Sequence, residues 1–111
     1  MPEKQEFRIV FCTCPNMGAA EAIAKRLVGD SLAACVNMVP GLKSVFLWEG
    51  AVETDEEVLL IIKTEASRYP ALESAVVDAH PYELPEIVCV PIVAGLSGYL
   101  TWIHDAVCAP R

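Results

Sequence analysis

Between residues 80 and 87 the chain reads His80-Pro81-Tyr82-Glu83-Leu84-Pro85-Glu86-Ile87, so one short loop carries an imidazole, a phenol and two carboxylates. Each proline fixes its own φ and drives the residue before it, His80 or Leu84, out of the helical region, so the loop holds few conformations and presents its side chains reproducibly. Imidazole and carboxylate are proton-transfer and metal-donor groups. The plainer role of His80 is to end a helix, its ring near the last carbonyls, while the prolines set up entry into a strand. Thiols are the other reactive groups. Cys12 and Cys14 stand at i and i+2 on a strand-like run and face the same way, which offers two sulfurs to a linear Cu(I) ion. Burial as small core side chains is the simpler explanation for that pair, as it is for Cys89, and Cys108 reads as a surface or helix-packing thiol.

The elements that must position these groups follow from periodicity. Phe7 to Cys14 reads as a buried strand, stopped by Pro15; Asn16 then caps a helix whose apolar stripe is Ala20, Ile23, Ala24, Leu27 and Val28. Gly29-Asp30 ends it, and an extended run from Leu32 bends at Pro40-Gly41, resumes to Trp48, and turns at Glu49-Gly50 into a return strand from Val52 to Thr64. That pair is long enough for a projecting hairpin. A helix from about Ser67 to Ala79 tolerates Pro70 in its first turn and buries Leu72, Ala75, Val76 and Ala79. Ile87 to Val93 is a last strand whose Pro91 predicts an edge or a bulge, and Ser97 caps a final helix. The order βαββαβ plus a C-terminal helix predicts an α+β, ferredoxin-like antiparallel sheet in a single domain over residues 1–111. Val58 to Ile62 and Ile87 to Val93 are apolar on both faces, whereas the two main helices cover only one. The uncovered face predicts a homo-oligomer.

Composition narrows the function classes. A net charge of −7 argues against recognition of nucleic acid through its phosphates and is compatible with cations. No apolar run approaches the ~18 residues of a membrane span. Met1 to Glu6 carries charges of both signs and no signal-peptide core, and five cysteines, an odd number with no CxxC pair, fit a reducing compartment, so the expected location is cytoplasmic.

Ala34-Cys35-Val36-Asn37, Pro40, Ser44, Trp48-Glu49-Gly50, Glu57, Lys63-Thr64, His80-Pro81-Tyr82-Glu83, Pro85-Glu86-Ile87 and Tyr99-Leu100-x-Trp102-Ile103, taken in this order and spacing, resemble the CutA family of divalent-cation tolerance proteins. The likeness runs from about residue 8 to residue 104 and departs from the commoner pattern at Phe46, usually Tyr, and Ala51, usually Lys. It implies a trimer similar in plan to the PII signalling proteins, with long hairpins wrapping neighbouring subunits, and a role in cytoplasmic tolerance of copper or other divalent metals. It also implies metal ligands at Cys35 and His80, with Glu83 as a third member. Thiolate and imidazole suit Cu(I), Cu(II) and Zn(II).

Two other classes compete. Catalysis would need Cys35 as nucleophile, His80 as base and Glu83 as orienting group, yet no nucleophile elbow or phosphate loop accompanies them, and Gly95-Leu96-Ser97-Gly98 is a turn and helix cap. The expectation is a protein that is not an enzyme. A PII-like small-molecule sensor or signalling scaffold would place a ligand in the cleft between subunits, lined by Trp48, Tyr82, Tyr99 and Trp102, and a further protein partner would read the trimer.

Overall fold

The computed structural model of the protein describes residues 7–108, so the segment Met1 to Glu6 lies outside the described residues. The first strand, β1, is Phe7–Cys14. Asn16 then takes an extended backbone and its side-chain oxygen accepts the N–H of Ala19 at 2.8 Å, which satisfies one of the donors that a helix leaves open and starts α1, Met17–Gly29. The helix buries Ala20, Ile23, Ala24 and Leu27, as its spacing predicts. The expected strand start at Leu32 is three residues early. The N–H groups of Leu32 and Ala33 bond back to Leu27 O at 2.9 and 3.2 Å, closing α1, and β2 runs over Cys35–Trp48.

A two-residue turn at Glu49 and Gly50, with φ of 50° and 82°, joins β2 to β3, Ala51–Glu65. Both central residues are left-handed, as in the hairpin turns whose twist matches that of paired strands. A 3-10 turn over Ala66–Arg68 precedes α2, Tyr69–Ala79, so the helix expected from Ser67 begins two residues later, with Pro70 in its first turn. Leu72, Ala75 and Val76 are buried, whereas Ala79 is exposed because the helix stops there. The remaining elements are β4, Ile87–Pro91, which ends two residues before the expected Val93, and α3, Ser97–Cys108.

The strands form one antiparallel sheet in the order β2-β3-β1-β4, the ferredoxin-like arrangement. On one face Val10, Cys12 and Cys14 of β1 and Leu60 and Ile62 of β3 meet Leu27 of α1 and Leu72 and Val76 of α2, and this is the core. On the other face Phe7 packs with Ile103 and Val107 of α3. The third helix therefore covers one end of the face that the sequence left bare. Beyond it Val88, Val90 and Val39 stay exposed.

Pairing of β1 with β3 ends at Cys14 opposite Val58, but β2 and β3 stay paired as far as Trp48 opposite Ala51. The distal hairpin is thus a free two-stranded ribbon, and the molecule is 50 Å long and 28 by 22 Å across. Its register shifts between Val39 and Leu42, where Pro40 and Gly41 bulge out and Gly41 adopts a φ of 81°. Val45, Leu47 and Val52 on the ribbon are each at least 69% exposed, which no isolated ribbon has reason to maintain.

Leu60 is fully buried between the sheet and its two covering helices. Leu60→Ala is expected to lower stability by about 2–5 kcal/mol, seen as a lower urea midpoint with an unchanged slope at fixed protein concentration.

Candidate metal centre

Alternation along β1 sends Cys12 and Cys14 to the core face, where neither is exposed at all. His80 arrives beside them from α2. Its own N–H still bonds Val76 O at 2.8 Å as the last turn of the helix, but Pro81 holds its backbone extended, at φ −78° and ψ 137°. The imidazole is thereby turned inward and buried. Its Nε2 lies 2.7 Å from Thr13 O, and its Nδ1 accepts the N–H of Tyr82 at 3.0 Å. A carbonyl only accepts and an N–H only donates, so the ring is the neutral tautomer with its proton on Nε2. The two sulfurs and a ring nitrogen all lie within 4.8 Å of one another.

The two thiols hold their protons unequally. A hydrogen bond from the Cys12 thiol holds Cys14 below the usual thiol value against its burial, while the same bond, burial and the nearby carboxylates of Glu86 and Glu57 push Cys12 far above it. Two buried sulfurs beside a buried imidazole are a donor set that suits a soft or borderline cation.

The positions that the family resemblance implies separate in the chain. Cys35 pairs with Lys63 on one side of β3, and Thr13, which holds His80, pairs with Leu59 on the other. Four residues at roughly 3.3 Å each put about 13 Å between them along the strand. Cys35 lies instead beside Tyr99, whose phenol is pushed up by burial and by that thiol. Glu83 is exposed. The chain itself thus brings Cys12 and Cys14, not Cys35 or Glu83, to His80, and it does not assemble the triad that catalysis would require.

An open cleft of about 970 Å³ adjoins the centre, lined among others by Phe46, Trp48, Glu57, Tyr82 and Glu83. Tyr82 donates its hydroxyl proton to Glu57 Oε2 at 2.8 Å; burial and this carboxylate push the phenol well above its ordinary value. Of the four aromatic residues expected to line a cleft between subunits, Trp48 and Tyr82 line this one within the chain. Tyr99 and Trp102 instead stack on each other on α3, with ring centroids 5.5 Å apart.

Residues 8–106 match the family model of the CutA1 divalent ion tolerance protein. Among curated proteins, Protein CutA of Mus musculus is 46% identical over 86% of this chain and 54% of its own length, and the divalent-cation tolerance protein CutA of Thermus thermophilus is 46% identical over 87% of this chain and 94% of its own. The chain therefore spans about half the length of the mouse relative and nearly all of the bacterial one. The solved structure of the Thermus protein superposes with a TM-score of 0.86 over 87% of this chain and 94% of that one. CutA1 from Oryza sativa superposes with a TM-score of 0.91 at 42% identity, over 95% and 96% of the two chains.

Removing the Tyr82 hydroxyl leaves the buried Glu57 carboxylate without that donor, so Tyr82→Phe is expected to cost about 1–3 kcal/mol at neutral pH. Because the folded phenol ionises above its unfolded value of 10.0, the stability it contributes is present below pH 10 and is lost as pH rises beyond it. Denaturation midpoints from pH 8 to 11 should fall more steeply for the parent than for Tyr82→Phe.

Proposed function

The chain belongs to the CutA1 divalent ion tolerance family, and on that premise we propose that it binds copper or a related soft cation through Cys12, Cys14 and His80 as its part in metal tolerance. The observation that carries this is the convergence of two sulfurs and an imidazole within 4.8 Å in a buried pocket. Cu(I) and Zn(II) fit that donor set best. Five free thiols fit a reducing, cytoplasmic setting, and a role without catalysis fits the scattered positions of Cys35, His80 and Glu83.

The working unit in this reading is a homotrimer, in which neighbouring subunits cover the bare sheet face and the ribbon. Exposed Val39, Val88 and Val90 on the sheet and Val45, Leu47 and Val52 on the ribbon support association, and the family resemblance supplies the number three. Assembly also offers Cys35 and Glu83 a partner from another chain.

A second reading rests on the cleft beside the centre. Its aromatic and carboxylate lining suits a small-molecule ligand, so that the trimer acts as a PII-like sensor.

A competition titration of Cu(I) and Zn(II) against the reduced protein separates the readings. Cys12→Ser, Cys14→Ser and His80→Ala are expected to weaken binding by about 10–100-fold or more, and Cys35→Ser to leave it unchanged. Equal affinity in all four variants would transfer the function to the cleft, where ligand-dependent Trp48 fluorescence is the readout. Native mass spectrometry should show a trimer that Leu47→Asp dissociates; a folded parent monomer at micromolar concentration removes the assembly from the proposal.

A further inference from the structure

At the opposite end of the sheet from Cys14, a second set of donors converges. Glu65 ends β3 and is only 7% exposed. His104 and Cys108 stand at i and i+4 on α3 and so project from one face of it, one turn apart. The Nδ1 of His104 is 2.5 Å from Glu65 Oε2, and the Cys108 thiol donates to Glu65 Oε1 at 3.5 Å. Carboxylate, imidazole and sulfur thus all lie within 4.8 Å of one another.

From this geometry we infer a second, zinc-type metal site at Glu65, His104 and Cys108, distinct from the Cys12, Cys14 and His80 centre. Tetrahedral zinc, with bonds of about 2.0–2.3 Å, spaces its ligands roughly 3.4 Å apart. The Cys108 sulfur already stands close to that distance from Glu65 Oε1, whereas the His104 Nδ1 to Glu65 Oε2 contact is shorter and must open to admit the ion. A mixed O, N and S set suits Zn(II) better than Mg(II) or Ca(II), which take oxygen alone, and three protein donors leave a fourth position for water. Ser67 Oγ donates to Glu65 Oε1 at 3.3 Å and orients the carboxylate from behind. Arg68 opposes the cation from nearby, although its Nε donates to Ser31 O.

Binding takes the thiol proton off Cys108 to solvent and forms the metal–sulfur bond in its place. Because binding releases that proton, affinity should climb with pH. The bound ion would tie the end of α3 to β3.

Co(II) serves as the probe, because its thiolate charge-transfer and d–d bands report sulfur ligation and tetrahedral geometry. In a Cys12→Ala/Cys14→Ala background the protein should still take up one Co(II) per chain with a thiolate band. Adding His104→Gln or Cys108→Ser should weaken uptake at least tenfold, and Cys108→Ser should abolish the band, with circular dichroism unchanged. Should that background not fold, the same two substitutions in the parent are expected to lower the stoichiometry by one ion per chain. A thiolate band or stoichiometry that neither substitution changes overturns the site, whether or not the Cys12 and Cys14 centre binds copper; so does a background that folds and binds no Co(II).

Discussion

Antiparallel pairing on both sides of β1 decides where the chemistry lies. Because Cys12 stands opposite Ile87, the first residue of β4, the segment that leads into β4 has to arrive at the Cys14 end of β1. That segment is the proline loop. The imidazole of His80 is then bonded to Thr13, between the two cysteines, and to Tyr82 within the loop, so one ring joins helix end, central strand and loop. Alternation along β1 supplies the other half of the arrangement, since both thiols must face the same buried side.

Electrostatics then makes the pocket unbalanced in a useful sense. Two thiols in contact hold one proton tightly and the other loosely, and the carboxylates acting on Cys12 raise the cost of negative charge there. A bound cation relieves that cost, as a neutral side chain of similar size would not. The hydrogen bonds of His80 restrain the same centre, because coordination through the ring must exchange its bond to Thr13 O or its bond from the Tyr82 N–H. The same bonds tie the imidazole to the proline loop, and Tyr82 of that loop bonds Glu57 at the base of the ribbon.

Much of this was legible in the sequence, for identifiable reasons. The Asn16 cap, the stripe from Ala20 to Leu27, the Glu49-Gly50 turn and the strand order follow from local spacing, which physics translates directly into structure. The boundaries at Leu32 and Ser67 were misplaced because backbone bonds to Leu27 and a 3-10 turn decide them, and neither leaves a hydrophobic signature. The candidate metal donors were half legible. His80 and the like-facing Cys12 and Cys14 were visible separately, while Cys35 was favoured by motif alone; only the register of β1 against β4 shows which sulfurs the loop meets. The second cluster was harder still, since Glu65 lies 39 residues from His104 and follows the Lys63-Thr64 motif without being part of it.

Both outer strands of the sheet carry a proline, Pro40 in β2 and Pro91 in β4, and the one in β2 sits in a bulge. Neither has an N–H to offer a further strand, and the bulge twists its edge out of register with any straight neighbour. A chain so rich in β-branched residues would otherwise be prone to indefinite strand-to-strand growth into fibrils. With both edges blunted, strand-to-strand addition is disfavoured, and the apolar surface that remains exposed lies on the face of the sheet and on the ribbon, where only another surface and not another strand can cover it.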